Sequence, residues 1–452
     1  MSNLAEGTLD SLLSRPGASG PLESRVAAVA GGLVAAGVQP GDVVAWQLPN
    51  SVAAVELFRA CWRVGAVAAP LHHLAGAADV DRLLPRLSPR LVVGPDDGLP
   101  SGSPVPVGAV PASPDDVAVV LATSGSTGTP KLARHSHRGL VYKAEVMTAV
   151  HGLSGSDCIL LPAPMAHISG LLNGVLLAAS GMRVVPMARW DAGEALRIIS
   201  RERVTFMIGP PAFFVSLVEA PGFDPSLVAS LRQISCGGAG VTPAFVQRTS
   251  SLLGCRVKRT YGSTEAPTMT TSTLTDPPAR AAETDGRPVG SAEIRIAEGG
   301  ELWVRGPELF VGYDDPAATE AAFADDGWFR TGDMGRIDDE GWLTIVGRLK
   351  DIIIRGGENI ATAEVEVVLE RHPAVSSAVC VGYPDHRLGE RVCAFVVASA
   401  PFDLATCREW FAHEAVTRFK WPERVIQLDA LPLLPTAKPD RTALRSLAAE
   451  PV

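Results

Sequence analysis

The sequence has no C-x-x-C pair. Its seven cysteines, Cys61, Cys158, Cys236, Cys255, Cys380, Cys393 and Cys407, stand far apart, with no histidine nearby at zinc-finger spacing. That excludes a structural zinc site and a secreted disulfide framework, and points to reduced thiols in a cytoplasmic chain. A run of Lys and Arg is also missing: the formal net charge of −9 is spread along the chain, so nucleic acid is not an expected partner. The opening MSNLAEGTLDSLL lacks a basic segment followed by an apolar one, which disfavours secretion. No apolar run of membrane-spanning length is uninterrupted. The most apolar stretch, Ile168 to Ala188, is broken by Asn173, Arg183, Pro186 and several glycines. These would be costly in lipid, so the stretch is expected to form a buried helix leading into a strand, not an integral membrane segment. Two signatures fail within TSGSTGTPK, Thr123 to Lys131. Pro130 stands where a Walker A loop needs its second glycine, and Ser124 where G-x-S-x-G needs its first. Kinase-like and serine-hydrolase readings lose their best support.

What the chain does have is length and alternation. Its 452 residues exceed the usual size of one core, so two or more domains are expected. ESRVAAVAGGLVAAG, GDVVAWQLPN and SVAAVELFRACWRVGAVAAPL read as helix, strand, helix, strand, and the rhythm recurs up to LRQISCGGAG. The expected fold class is α/β, with layered α/β subdomains whose buried strands are largely parallel. From Glu301 the texture turns to strands and turns, a β-rich subdomain. After GRLKD a small α+β domain follows: a helix in AEVEVVLERHP, strands in VSSAVCVGYP and RVCAFVVAS, and a helix near Cys407 to Phe419. The segment PDDGLPSGSPVPVGAVPASP reads as a surface connection, and no internal repeat is present.

TSGSTGTPK follows the apolar DVAVVLA, an expected buried strand. Taken alone, a Gly/Ser/Thr cluster is a flexible loop. At a strand end, with one lysine beside it, its N–H groups and hydroxyls form an anion-binding concavity suited to a triphosphate.

With that loop in place, the chain resembles the adenylate-forming superfamily of acyl-CoA synthetases, peptide-synthetase adenylation domains and luciferases. The resemblance runs from about Ser24 to Leu444 through TSGSTGTPK, GGAG (Gly237 to Gly240), YGSTE (Tyr261 to Glu265), RTGD ending at Asp333, GRLKD from Gly347, GGENI from Gly356 and PTAK ending at Lys438. It implies ATP and Mg²⁺ as cofactors and coenzyme A as co-substrate. It also implies a large N-terminal domain over 1–347, a hinge over 348–350 and a small mobile C-terminal domain over 351–452. Thr123, Ser124, Gly125, Ser126, Thr127, Gly128 and Lys131 would handle the β- and γ-phosphates. Thr264 would bind the α-phosphate and Glu265 would hold Mg²⁺, a hard cation that prefers oxygen. Gly238, Ala239, Tyr261 and Gly262 would border the adenine, Asp333 would accept from the ribose diol, and Arg348 would add a ribose or phosphate contact. Lys438 would meet the acyl carboxylate and α-phosphate as charge develops. The family usually has Gly before this lysine and an aliphatic residue after it; here they are Ala437 and Pro439, and Pro439 restricts Lys438 to extended backbone. Lys350 matches the hinge, and Gly356, Gly357 and Glu358 match the turn that admits coenzyme A.

PAPMAHISGLLNG resembles the acyl-pocket segment, with His167 as a gate beside the carboxylate and Ile168 behind it. The other pocket residues implied are Phe213, Cys236, Gly237, Gly240 and Tyr261, and the cavity reads as apolar and compact. No Asp stands in this segment to hold an α-ammonium, and no cation stands in the pocket segments to hold a second carboxylate. Amino acids and malonate-like diacids are thus disfavoured. The nearest company is short- and medium-chain or alicyclic acyl-CoA synthetases, such as cyclohexanecarboxylate–CoA ligases, with an aryl acid or o-succinylbenzoate still open. The rival readings are a stand-alone adenylation enzyme loading a carrier protein, and a non-catalytic nucleotide-binding homologue.

Overall fold

The computed structural model describes residues 7–14, 20–123, 130–434 and 438–450. Among these residues the strands form four sheets. The first has six strands, in spatial order Gly312–Tyr313, Lys131–Ser136, Val117–Thr123, Val67–Pro70, Val43–Trp46 and Leu91–Val93. Its last four are mutually parallel. The second sheet runs Arg287–Pro288, Thr270–Thr271, Arg256–Tyr261, Gln233–Gly237, Phe206–Gly209, Cys158–Leu161 and Arg183–Pro186, with the last five parallel.

Strand alternation explains how one chain builds two cores here. Ile159, Leu161, Phe206 and Ile208 point into the central core with Trp46, Phe58 and Trp62 from the first-sheet side and Leu140 and Met147 of the helix His137–His151. Their neighbours Cys158, Leu160 and Met207 point the other way, under the helices Ala192–Glu202, Pro211–Val218 and Pro243–Leu253. Sheets covered on both faces read as near-continuous apolar runs, which is why these strands carry no polar face.

The expected buried helix from Ile168 is present but irregular. It runs as an α turn, Ile168–Leu171, a π segment, Leu172–Leu176, and a 3₁₀ turn, Leu177–Ser180, before the strand Arg183–Pro186. Two glycines let it lie close to the preceding chain. A Cβ on Gly170 would stand 2.0 Å from the Pro164 carbonyl oxygen, and one on Gly174 2.0 Å from Leu161 Cδ2. No helix among the described residues is long and apolar enough to cross a membrane.

The third sheet is antiparallel: Glu293–Ile296, Glu301–Arg305, Phe329–Ile337 and Leu343–Arg348. A 3₁₀ turn, Leu349–Asp351, leads into the fourth sheet, built from Glu358–Ala361, Ile352–Arg355, Gly389–Ala398, Val375–Asp385 and Arg424–Gln427. The helix expected near Cys407 to Phe419 instead spans Leu404–His413. Asp403 caps its start by accepting from Thr406 N at 2.8 Å. It ends early because Ala415 takes a left-handed conformation (φ 51°) and Val416 N donates to Phe411 O at 3.0 Å, a C-terminal closing pattern. The small unit rests on the large one through the Thr242 hydroxyl, which donates to Glu370 Oε2 at 2.6 Å, and through Arg248, which donates to the Ser376 carbonyl at 3.1 Å.

Candidate active site

The phosphate-loop segment joins two antiparallel strands, and Thr123 and Lys131 are cross-strand partners on the last rung. Ser124, Gly125, Ser126, Thr127 and Gly128 lie outside the described residues. The far strand is braced from outside: Arg86 donates to the Pro130 carbonyl at 2.5 Å and pairs with Asp314 at 2.7 Å, whose other carboxylate oxygen accepts from Leu132 N at 3.2 Å.

Lys131 Nζ stands 4.5 Å from the centre of the Tyr313 ring, and the Tyr313 hydroxyl donates to Glu265 Oε1 at 2.8 Å. Burial, and then the Glu265 charge, push the Tyr313 phenol up, so it remains a donor. Tyr313 thus links the loop lysine to the carboxylate proposed for the metal. Sequence reasoning passed over it, because no motif contains it and only the pairing of Gly312–Tyr313 with Lys131–Ser136 brings it here.

Two glycine positions in the next loops are dictated by close approach. A Cβ on Gly238, which sits at φ 78°, would stand 3.4 Å from Lys438 Cε, and one on Gly262 2.3 Å from Thr268 N. The first leaves room for the late lysine and the second closes the turn that holds Thr264 and Glu265. The Thr264 backbone is the hydrogen-bonding neighbour of the buried His135 imidazole, which burial lowers to about 4. Ala239 is half-buried, and Gly240 turns toward Glu366 of the small unit, 4.0 Å from where a Cβ would be.

Asp333 is buried at the partner position of Arg348. Its Oδ1 pairs with Arg348 Nε at 2.9 Å and its Oδ2 accepts from the Tyr261 hydroxyl at 2.8 Å. Burial raises the Asp333 carboxyl, while Arg348 and Tyr261 favour its charged form. Lys438 arrives from the small unit on a turn closed by a bridge between Leu433 and Pro439, with Leu434 N donating to the Lys438 carbonyl at 2.8 Å. Burial lowers the Lys438 ammonium, Arg348 lowers it further, and Asp333 and Glu265 oppose both. The fold therefore gathers Glu265, Asp333, Arg348 and Lys438 from four separate motifs into one electrostatic neighbourhood.

His167 starts the turn Ile168–Leu171 and is lowered to about 4, first by burial and then by His72 and Lys438. It is a neutral imidazole at neutral pH. Its ring lies 5.4 Å from that of His72, which stacks on His73 at 5.0 Å. This histidine pair, at the end of the strand Val67–Pro70, was also missed. Ile168 is half-buried beside it, and Phe213 is buried against Trp190, ring centres 4.6 Å apart.

Cys236 corrects the expected pocket list. It follows the parity of Ile234 and packs with Val257 beneath the outer helices, on the sheet face opposite Gly237. Adjacency to a motif glycine in sequence is separation by a whole sheet in space. Gly237 itself lies against Thr260, whose carbonyl oxygen would stand 2.5 Å from an added Cβ. Lys350 sits on the Leu349–Asp351 turn, with its ammonium lowered by partial burial and then by Arg348. Gly356 and Gly357 form an exposed two-residue hairpin turn at φ 59° and 90°, with Glu358 opening the next strand. Positive φ at both central residues is the twist-matched hairpin geometry.

Among the described residues no group of three His, Cys, Asp or Glu side chains converges to hold a metal. A magnesium ion would be held by the Glu265 carboxylate together with nucleotide phosphate oxygens, the manner in which Mg²⁺ usually binds.

Compared with known proteins, residues 20–314 match the family described as AMP-binding enzyme, and residues 364–438 its C-terminal domain. The chain is 31% identical to a medium-chain fatty-acid–CoA ligase of Escherichia coli (strain K12), over 94% of this chain and 84% of that protein. It is 36% identical to a methyl-dioxo-octahydroindenyl propanoyl:CoA ligase of Mycobacterium tuberculosis, over 94% and 93%. Its structure superposes on ATP-bound MatB from Rhodopseudomonas palustris with a TM-score of 0.87 at 27% identity, covering 95% of this chain and 93% of that one.

Proposed function

The chain belongs to the AMP-binding enzyme family and is an acyl-CoA synthetase, an ATP-dependent carboxylate–CoA ligase, and from that premise we propose how its residues work and which acids it takes. A carboxylate attacks the α-phosphate of ATP, giving acyl-AMP and pyrophosphate; the thiol of coenzyme A then attacks the acyl carbon, giving acyl-CoA and AMP.

The observation that carries the assignment of roles is the seat of Lys438 against Gly238 within the field of Asp333, Glu265 and Arg348. Joining two anions requires preorganised positive charge. Lys438 supplies it between the acid carboxylate and the α-phosphate, and Thr264 donates to the same phosphate. Thr123, Lys131 and the loop between them hold the β- and γ-phosphates, with Tyr313 fixing Lys131 relative to Glu265. Glu265 is the group that would hold Mg²⁺, which when bound would neutralise charge on the phosphate oxygens. Asp333, fixed by Arg348 and Tyr261, accepts from the ribose. His167, neutral and half-buried, orients the acid without adding charge.

The acids proposed are short- or medium-chain, alicyclic or related apolar carboxylic acids. The packing of Phe213 against Trp190 supports that class, as do the substrates named for the two relatives. All seven cysteines are free, which supports a reducing cytoplasmic setting. The test is mass spectrometry on protein incubated with MgATP and acids from acetate to dodecanoate, plus cyclohexanecarboxylate, benzoate and o-succinylbenzoate, with and without coenzyme A. Acyl-CoA from a few apolar acids is the expected result. Acyl-AMP that coenzyme A leaves untouched would move the acceptor to an acyl carrier protein.

The small unit is proposed to turn about Lys350 between the two steps and bring Gly356, Gly357 and Glu358 to the acyl-AMP. Lys350→Pro should leave acyl-AMP formation within about threefold of the parent and slow thioester formation by about 100-fold or more. Equal loss in both half-reactions, measured by pyrophosphate release and by single-turnover thioester formation, would remove the hinge assignment.

A further inference from the structure

One rung below Gly237 and Thr260, the pocket-side face of the second sheet changes character. Gly237 pairs with Thr260, and the next residues of the same parity, Ser235 and Lys258, pair with each other. They point to the same side, about 7 Å further from the strand ends that carry the motifs. Both are fully buried, as are Gln233 below Ser235 and His151 at the end of the helix His137–His151.

These four side chains have unmet hydrogen-bonding capacity. Gln233 Nε2 lies 3.1 Å from His151 Nδ1. With Gln233 donating, His151 carries its proton on Nε2. His151 Nε2, Gln233 Oε1 and Ser235 Oγ have no partner among the described residues. Lys258 Nζ donates to the Ser272 carbonyl at 2.5 Å, which leaves two of its three N–H groups for other acceptors. Asp276, the acid whose field reaches Lys258, is engaged by Arg287 at 2.7 Å and by Thr273 at 2.7 Å. Burial lowers Lys258 to about 7 and lowers His151 well below its ordinary value. Buried polar atoms without partners are rare in folded proteins and call for water or a ligand group. Here donors predominate: an ammonium, a hydroxyl and an imidazole N–H.

We infer that the acyl pocket runs down this face past Gly237 and Thr260 and ends at Lys258, Ser235 and His151, and that the acid carries a carbonyl or carboxylate oxygen at the end remote from the reacting carboxylate. The inference rests on the ligase reading above and narrows it from apolar acids to acids with an apolar body and an oxygenated tip. The cation missing from the pocket segments of the sequence is Lys258, on the strand that leads into YGSTE. The length fits acids of about six or more carbons, or a ring of similar reach, and malonate is too short.

The test compares heptanoate, 6-oxoheptanoate and heptanedioate, which share one chain length, in acyl-CoA formation by the parent and by Lys258→Met. The parent should take at least one of the two oxygenated acids with a kcat/KM about tenfold or more above heptanoate, because a site built to hydrogen-bond a group discriminates against the analogue lacking it. Lys258→Met should reverse the preference. The two oxygenated acids distinguish a ketone from a second carboxylate as the tip. Ser235→Ala on the same rung should narrow the preference and serves if the methionine variant does not fold. Heptanoate preferred by the parent would overturn the inference and leave these polar atoms to water. No product from any acid in the wider panel would instead overturn the ligase reading beneath it.

Discussion

Lys438→Ala should slow acyl-AMP formation by about 100- to 1000-fold, the range seen when one preorganised charge-stabilising donor is removed. The ammonium lies beside Gly238, and both acids whose fields reach it, Asp333 and Glu265, have partners of their own in Arg348 and Tyr313. Among the described residues the other cation whose field reaches it, Arg348, is engaged by Asp333. Because the residue sits on the small unit, the loss should be confined to the first step: thioester formation from supplied acyl-AMP and coenzyme A should stay within about threefold of the parent. Pyrophosphate exchange measures the first step and single-turnover thioester formation the second. Unchanged exchange would remove Lys438 from the catalytic machinery.

Lys143→Met should have the largest effect on stability. Lys143 Nζ meets Glu308 Oε1 at 2.8 Å with both side chains fully buried, and the second Glu308 oxygen has no partner among the described residues. Gly306 leaves that oxygen its space, since a Cβ there would stand 2.4 Å from it. Removing one member of a buried pair strands the other charge in low dielectric, at a cost of about 3–5 kcal/mol. Replacing both, as Lys143→Met with Glu308→Leu, should recover most of the loss, since an apolar pair of similar volume is often as stable. Denaturant unfolding followed by tryptophan fluorescence would show it. A single variant as stable as the parent, or a double variant worse than either single, would contradict this account.

Much of the frame was legible because its physics is local. The helix and strand alternation before Pro70 follows apolar spacing, and the strands Cys158–Leu161 and Phe206–Gly209 read as buried because both of their faces are. The motif segments were legible as chemistry too, and the fold brings Glu265, Asp333, Arg348 and Lys438 together. What escaped is what depends on parity or on distant partners. Cys236 was placed in the pocket by its neighbours in sequence, whereas strand geometry turns it away. Lys258 belongs to no motif, and only the register with Ser235 shows it buried beside a polar rung. Tyr313 gains its place through a two-residue strand pairing with residues about 180 positions earlier, and nothing in its own surroundings signals that.

The contact between Thr242 and Glu370 has a consequence for acid–base balance. Seated, Glu370 accepts from the Thr242 hydroxyl and from Ala378 N, and burial raises its carboxyl to about 7. If the small unit turns away about Lys350 as proposed, that carboxyl meets water and its affinity for a proton drops toward the ordinary carboxylate value near 4.3. Seating then takes up a proton and unseating releases one. By linkage the seated arrangement weakens as pH rises from the ordinary carboxylate range to about 7, and changes little beyond it. Within that pH window each catalytic cycle would therefore exchange up to one proton with solvent at a point remote from the chemistry, a coupling that Glu370→Gln would abolish. The ligase would carry its own sensitivity to cellular acidity in the joint between its two parts.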